Sequence, residues 1–138
     1  MRTPRLARFV VASCMLALVS SVALAQQPSQ TASQFYMKYR AAFDKAKTID
    51  EILPYMAKAN RDQAQATPAD ERAKMFEVVK MMNKLTDVKI LKEVPAGDGA
   101  TLTVEGIDMD KKKSTGTVSL IKEGGDWKIG KESWSTKA

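Results

Sequence analysis

The sequence predicts an α+β fold in which three N-terminal helices pack on a curved four-stranded antiparallel meander. Three observations carry that expectation. Apolar residues recur at helical spacing as far as Leu85 and then switch to the alternation of strands. Helix-start signals stand at Thr48 and Thr67. Turn signals at 96–99 (AGDG), 108–116 (DMDKKKSTG) and 124–126 (GGD) divide the remainder into short strands of the kind that form hairpins.

The first 25 residues read as a leader rather than as part of the fold. Arg2, Arg5 and Arg8 precede the uncharged apolar run FVVASCMLALVSSVALA, which ends on Ala23-Leu24-Ala25, a small-x-small cleavage pattern. Cys14 closes a VASC stretch that resembles a lipid-attachment signal. Cleavage there would leave only about five apolar residues ahead of the cut, short of the roughly 7–15 that such a leader uses. Cleavage after Ala25 is therefore the expectation, with a periplasmic or extracellular product and no stable membrane insertion after processing. Removing three arginines from the 22 basic residues leaves 19 against 16 acidic ones, a net charge of +3. That is an ordinary surface balance and gives no ground for nucleic-acid binding.

Residues 26–33 (QQPSQTAS) read as a flexible lead-in, and 34–138 as a single domain. Phe35, Tyr39, Ala42, Phe43 and Ala46 share one face of a first helix. Thr48 with Glu51 forms a capping box for a short second helix, which Pro54 should kink or end early. Residues 57–66 fit either helix or loop. Thr67, Pro68, Asp70 and Glu71 open a third helix running to about Leu85. Its stripe of Met75, Val78, Val79, Met82 and Leu85, widened by Phe76 and Met81, predicts a helix buried over much of its girth against the sheet. Strands follow at 87–94, 101–108, 117–123 and from Trp127 onward.

The order of these elements, and above all the last hairpin GTVSLIKEGGDWKIGKESW (116–134), resembles the nuclear transport factor 2-like superfamily, a cystatin-like cone. The narrower likeness is to its small secreted bacterial members of uncharacterised function. That resemblance implies helices in the concave side of a bent sheet and a conical pocket of variable lining. Here Phe35, Tyr39, Phe43, Met75, Val79, Met82 and Trp127 would form that lining. A bent sheet needs a bulge, and Gly130 is placed to supply one. The bulge would bring Trp134 to the face that holds Trp127 and Ile129, with Trp127 in the core and Trp134 partly exposed as a partner surface.

Absences narrow the chemistry. The chain has no histidine, and its one cysteine leaves with the leader, so the usual zinc, Ser-His-Asp and Cys-His arrangements are excluded. Six methionines outside the leader raise a Cu(I) reading, but adjacent Met81 and Met82 point about 100° apart on a helix, and no metal or cofactor is expected. Lys111–Lys113 read as a solvated turn. Superfamily enzymes such as ketosteroid isomerase pair a buried aspartate with a helix-borne tyrosine. Tyr36, Tyr39 and Tyr55 are available, but Asp50, Asp87, Asp108 and Asp110 fall at turns and element ends, and Glu105 falls on the face opposite Leu102 and Val104. The expectation is a non-catalytic exported module binding an apolar small molecule or peptide in the cone, or a protein partner on the sheet, with pairing of two copies through the sheet allowed. The alternative is a cofactor-free isomerase, dehydratase or hydrolase using a buried Asp or Glu with a Tyr.

Overall fold

The computed structural model describes residues 29–136. The expected leader and cleavage point, Cys14 and the start of the expected lead-in lie outside the described residues.

Helix α1 (Ala32–Lys45) starts two residues earlier than expected because Thr31 caps it. The Thr31 hydroxyl accepts from the Gln34 amide at 3.1 Å, and the Gln34 side-chain oxygen accepts from the Thr31 amide at 3.0 Å. Ala32, Phe35, Tyr36, Tyr39, Arg40 and Phe43 then fall on one buried face at helical spacing. The short second helix resolves into two 3-10 turns, Ile49–Glu51 and Leu53–Tyr55, with Pro54 in the second. Residues left open between helix and loop form α2 (Lys58–Ala66). No side chain of its own caps α2. Instead the Glu123 carboxylate, at the far end of a strand, accepts from the Lys58 amide at 2.9 and 3.0 Å.

The strands are β1 (Thr86–Ala96), β2 (Gly99–Ile107), β3 (Lys113–Glu123) and β4 (Asp126–Thr136), paired antiparallel in the order β1-β2-β3-β4. Ala100, Leu102 and Val104 of β2 and Val118 and Leu120 of β3 face the helices and are buried. The opposite face of these central strands carries Thr101, Thr103, Thr115, Thr117 and Ser119, side chains that suit a wetted sheet surface. This is the α+β cone expected from the resemblance, with one sheet and the helices on one side of it.

Strand β4 holds the bulge. Ile129 pairs with Leu120 and Lys131 with Ser119, which leaves Gly130 as the extra residue. The carbonyls exposed there are satisfied from α2 and its N-cap: the Asn60 side-chain amide donates to the Gly130 oxygen at 2.8 Å, and the Ala57 backbone amide donates to the Ile129 oxygen at 2.8 Å. Beyond the bulge the parity reverses. Glu132 pairs with Val118 and Trp134 with Gly116, so both side chains turn to the inner face.

Helix α3 (Ala69–Met82) corrects the sequence reading. Phe76, expected only to widen its stripe, is its one buried residue, while Met75, Val78, Val79 and Met82 are 58%, 49%, 42% and 76% exposed. The reason is competition for space. The concave side is already filled by α1, whose Phe35, Tyr39 and Phe43 join Tyr55 of the second 3-10 turn in a run Phe35–Tyr55–Tyr39–Phe43 at centroid spacings of 5.9, 5.9 and 6.0 Å. Helix α3 adds only the last ring, Phe76 edge-on to Phe43 at 6.0 Å. Polar ties hold it there: the Lys80 ammonium donates to the Ala46 carbonyl at 2.5 Å, and Arg72 lies 3.5 Å from Asp50.

Gly116 is a point where the sheet leaves no room for a side chain. A methyl group there would sit 2.8 Å from the Ser133 carbonyl oxygen and 2.8 Å from the Trp134 ring. Gly116→Ala is expected to cost about 1–3 kcal/mol, the usual range for overpacking. Urea unfolding midpoints at unchanged slope check it; an unaltered midpoint would mean that Trp134 does not cover this glycine.

Candidate functional site

Two features meet at Phe43: a half-buried polar cluster and an open apolar cleft. The cluster centres on Glu132, carried inward by the Gly130 bulge. Its Oε1 accepts from the Trp134 indole at 2.7 Å, the Tyr36 hydroxyl at 2.9 Å and the Arg40 guanidinium at 3.5 Å. Arg40 is one helical turn beyond Tyr36, so both reach the same carboxylate from α1. The guanidinium also donates to the Asn83 carbonyl at 3.1 Å and lies 3.6 Å from Asp44. The pair is largely desolvated, with the Arg40 side chain 4% and the Glu132 side chain 14% exposed.

This cluster lines a small hollow of about 140 Å³ together with Tyr39, Phe43, Val79 and Asn83. Among the described residues the buried Arg40 Nε has no hydrogen-bond partner. The tyrosines beside it hold their protons strongly. Burial, and then the negative charge of Glu132, push Tyr36 and Tyr39 well above the usual phenol range.

The cleft lies between the end of α3, Phe43 of α1, the start of β1 and the β2–β3 connection. Its volume is about 600 Å³, and Phe43, Met81, Leu85 and Met109 supply apolar walls with Lys80 and Lys84 beside them. A smaller hollow of about 230 Å³ continues from it and is lined by Met82, Asp108 and Trp134 as well. Asp108 organises the connection. Its carboxylate accepts from the Lys112 amide at 2.9 Å, the Thr136 hydroxyl at 3.0 Å and the Asp110 amide at 3.0 Å, and these bonds hold it below the ordinary carboxylate range.

The residues expected to line one pocket are shared among several: Tyr39, Phe43 and Val79 line the 140 Å³ hollow, Phe35 and Trp127 another of about 440 Å³, and Met82 the one beside the cleft. Phe35, Tyr39 and Phe43 are buried inside the cone as packing. Met75, Val79 and Met82 are exposed on α3. Trp127, expected in the core, is half-buried at the other end of β4, where its indole donates to the Gln30 carbonyl at 2.8 Å and Lys122 lies 4.7 Å above its ring. Trp134, expected as a partly exposed partner surface, is half-buried on the inner face and engaged by Glu132. Sequence reasoning missed Glu132 and Arg40. The same parity change that it applied to Trp134 moves Glu132, two positions earlier, to the same side.

No described helix is long and apolar enough to cross a membrane, and the described residues hold no cluster of three or more Asp, Glu, His or Cys side chains suited to a metal.

Comparison with known proteins places this fold in a class without an assigned activity. Residues 25–130 match the model of the family described as Domain of unknown function (DUF4878), and the chain belongs to that family. Among solved structures it is similar to a SEC-C motif containing protein from Rhodopseudomonas palustris, with a TM-score of 0.54 and 14% identity over 78% of this chain and 80% of that one. It is also similar to an NTF2-like protein of unknown function from Shewanella baltica, with a TM-score of 0.47 and 16% identity over 78% of this chain and 98% of the other. No curated protein matches significantly.

Two outcomes follow from the polar cluster. Glu132→Leu leaves the buried Arg40 with the Asn83 carbonyl and the more distant, exposed Asp44, and is expected to destabilise the fold by about 3–5 kcal/mol, whereas Glu132→Gln, which keeps an acceptor, costs less. Equilibrium urea unfolding of both variants measures the difference, and equal losses would contradict a contribution from the hydrogen bonds that an uncharged acceptor keeps.

Alkaline pH supplies the second. A phenol whose folded pKa lies above its unfolded value of about 10 keeps its full contribution below that pH. It loses the contribution as pH rises further, because the unfolded chain sheds its proton first. Thermal midpoints should therefore fall above about pH 10, with tyrosinate absorbance of Tyr36 and Tyr39 appearing only as the fold is lost. Reversible ionisation of all three tyrosines in the folded protein would contradict this.

Proposed function

We propose that this protein is an exported, non-catalytic binding module whose ligand seat is the cleft beside α3 rather than the interior of the cone. The observation that carries this reading is the contrast between the two spaces. The cone interior is occupied by the Tyr36, Tyr39, Phe43, Leu102, Val104, Val118 and Leu120 side chains. The cleft offers about 600 Å³, within the range of small-molecule sites. Met81 and Met109 provide flexible, polarizable walls that adapt to varied apolar shapes. Lys84 at the rim forms no ion pair among the described residues, which favours an apolar small molecule or short peptide carrying an anionic group. The leader pattern of residues 1–25 supports export.

The acid/base alternative would use Glu132 with Tyr36. Three donors already converge on Glu132 Oε1, and the tyrosine pKa values are displaced away from neutrality. A general acid or base works best with a pKa near the operating pH, and the 140 Å³ hollow leaves room for only a few atoms. These features favour a tie between α1 and β4. Docking or self-pairing through the sheet finds less support: its outer face exposes Val94 and Ile121, but the hydroxyls of Thr101, Thr103, Thr115, Thr117 and Ser119 occupy the central strands there.

Titration with 1-anilinonaphthalene-8-sulfonate, which joins an apolar body to an anion, tests the cleft. Binding should quench Trp134, which lines the adjoining hollow. Met81→Glu and Met109→Glu should each weaken binding by about tenfold or more, as expected for placing a charge in an apolar contact. Affinity unchanged in both variants would remove the cleft as the seat.

A further inference from the structure

The exposed stripe on α3 is a separate feature, and it has a symmetry of its own. Met75, Val78, Val79 and Met82 fall at i, i+3, i+4 and i+7, the spacing of a helix face that packs against another helix. All of them are exposed, by 58%, 49%, 42% and 76%. Helix α3 meets its own domain through Phe76 instead, so nothing within the described chain covers the stripe. Apolar residues left wet in such an ordered row mark an interaction surface.

The row reads the same in both directions: Met, two residues, Val-Val, two residues, Met. A two-fold axis midway between Val78 and Val79 would set Met75 of one copy against Met82 of the other and Val78 against Val79. That is the self-complementarity an isologous interface requires. Charge points the same way. The first turn of α3 carries Asp70 and Glu71, and Lys84 follows its last turn; none of the three has an ion-pair partner among the described residues. Antiparallel helices bring the acidic start of each beside the basic end of the other and oppose their dipoles favourably. Parallel helices would set Glu71 against Glu71. An anionic lipid surface would meet Asp70 and Glu71 along with the stripe, and is disfavoured for that reason.

We infer that a second copy of this chain docks on the Met75–Met82 stripe, giving a two-fold dimer joined through antiparallel α3 helices. A single helix pair lies at the small end of specific interfaces, so the association is reversible, on the order of micromolar. Met81, a wall of the ligand cleft, is turned about 100° from Met82, while Met82 lines the adjoining hollow and Lys84 lines both spaces, so the dimer meets the edge of the cleft.

Sedimentation equilibrium of the protein as the cell processes it is the test. The expected mass is that of two chains at the higher concentrations. Val78→Glu, on a half-exposed position, should show the mass of one chain throughout, with unchanged helix content and, at concentrations where the wild type is also dissociated, an unchanged thermal midpoint. The register is tested by cysteines, because the chain outside its leader has none. Under air oxidation Met75→Cys combined with Met82→Cys should yield disulfide-linked dimers, and Met75→Cys alone should not. A wild-type mass of one chain at all concentrations overturns the proposal, whether or not the protein then binds anionic phosphatidylglycerol vesicles. So does a Val78→Glu variant that still dimerises, or a Met75→Cys variant that links as readily as the pair.

Discussion

The extra residue at Gly130 is the constraint from which the rest of the arrangement proceeds. A β-strand shows alternate side chains to its two faces, so one inserted residue exchanges the faces of everything after it. Without it Glu132 and Trp134 would lie on the wetted side among serines and lysines. With it they enter the cone, and a carboxylate arrives where Tyr36 and Arg40 descend from α1. The helix and the last strand, 92 to 96 positions apart in the chain, are thereby joined by hydrogen bonds that water cannot easily replace. The bulge is itself secured, since Asn60 and Ala57 occupy the carbonyls that the interrupted ladder exposes.

Local chemistry explains which parts of this were readable beforehand. The Thr48–Glu51 capping box, the glycine turns and the change of apolar period at Leu85 depend on neighbours in sequence, and they delivered the α+β order and all four strands, although Thr67 ends α2 rather than capping α3. The bulge too was legible, because a mid-strand glycine between two tryptophans of opposite parity asks for one. Its effect on Glu132 was not followed through. A glutamate between a lysine and a serine looks like surface, and only the cross-strand register shows otherwise. Helix α3 illustrates a different limit. Periodicity reveals that an apolar face exists, not what covers it. Met75, Val78, Val79 and Met82 were assigned to the sheet, yet the volume they would have filled belongs to Tyr39 and Phe43.

The same competition for volume directs the functional reading. Large aromatic side chains on α1 turn the cone into a packed core, so an occupant has to be held at its margin. There the chain places methionines from α3 and from the β2–β3 connection, with Asp108 fixing the shape of that connection. Membership of a family of unknown function leaves the activity to be argued from such sites, because the fold by itself carries many. The polar cluster then serves as a rigid wall between a closed interior and an accessible flank.

Cross-strand proton contacts in an isotopically labelled sample address the bulge most directly. Contacts of Ile129 with Leu120 and of Lys131 with Ser119, with Gly130 skipped and the Trp134 indole proton slow to exchange, are the expected pattern. An unbroken pairing through Gly130, which would return Glu132 to the solvent face, would contradict it.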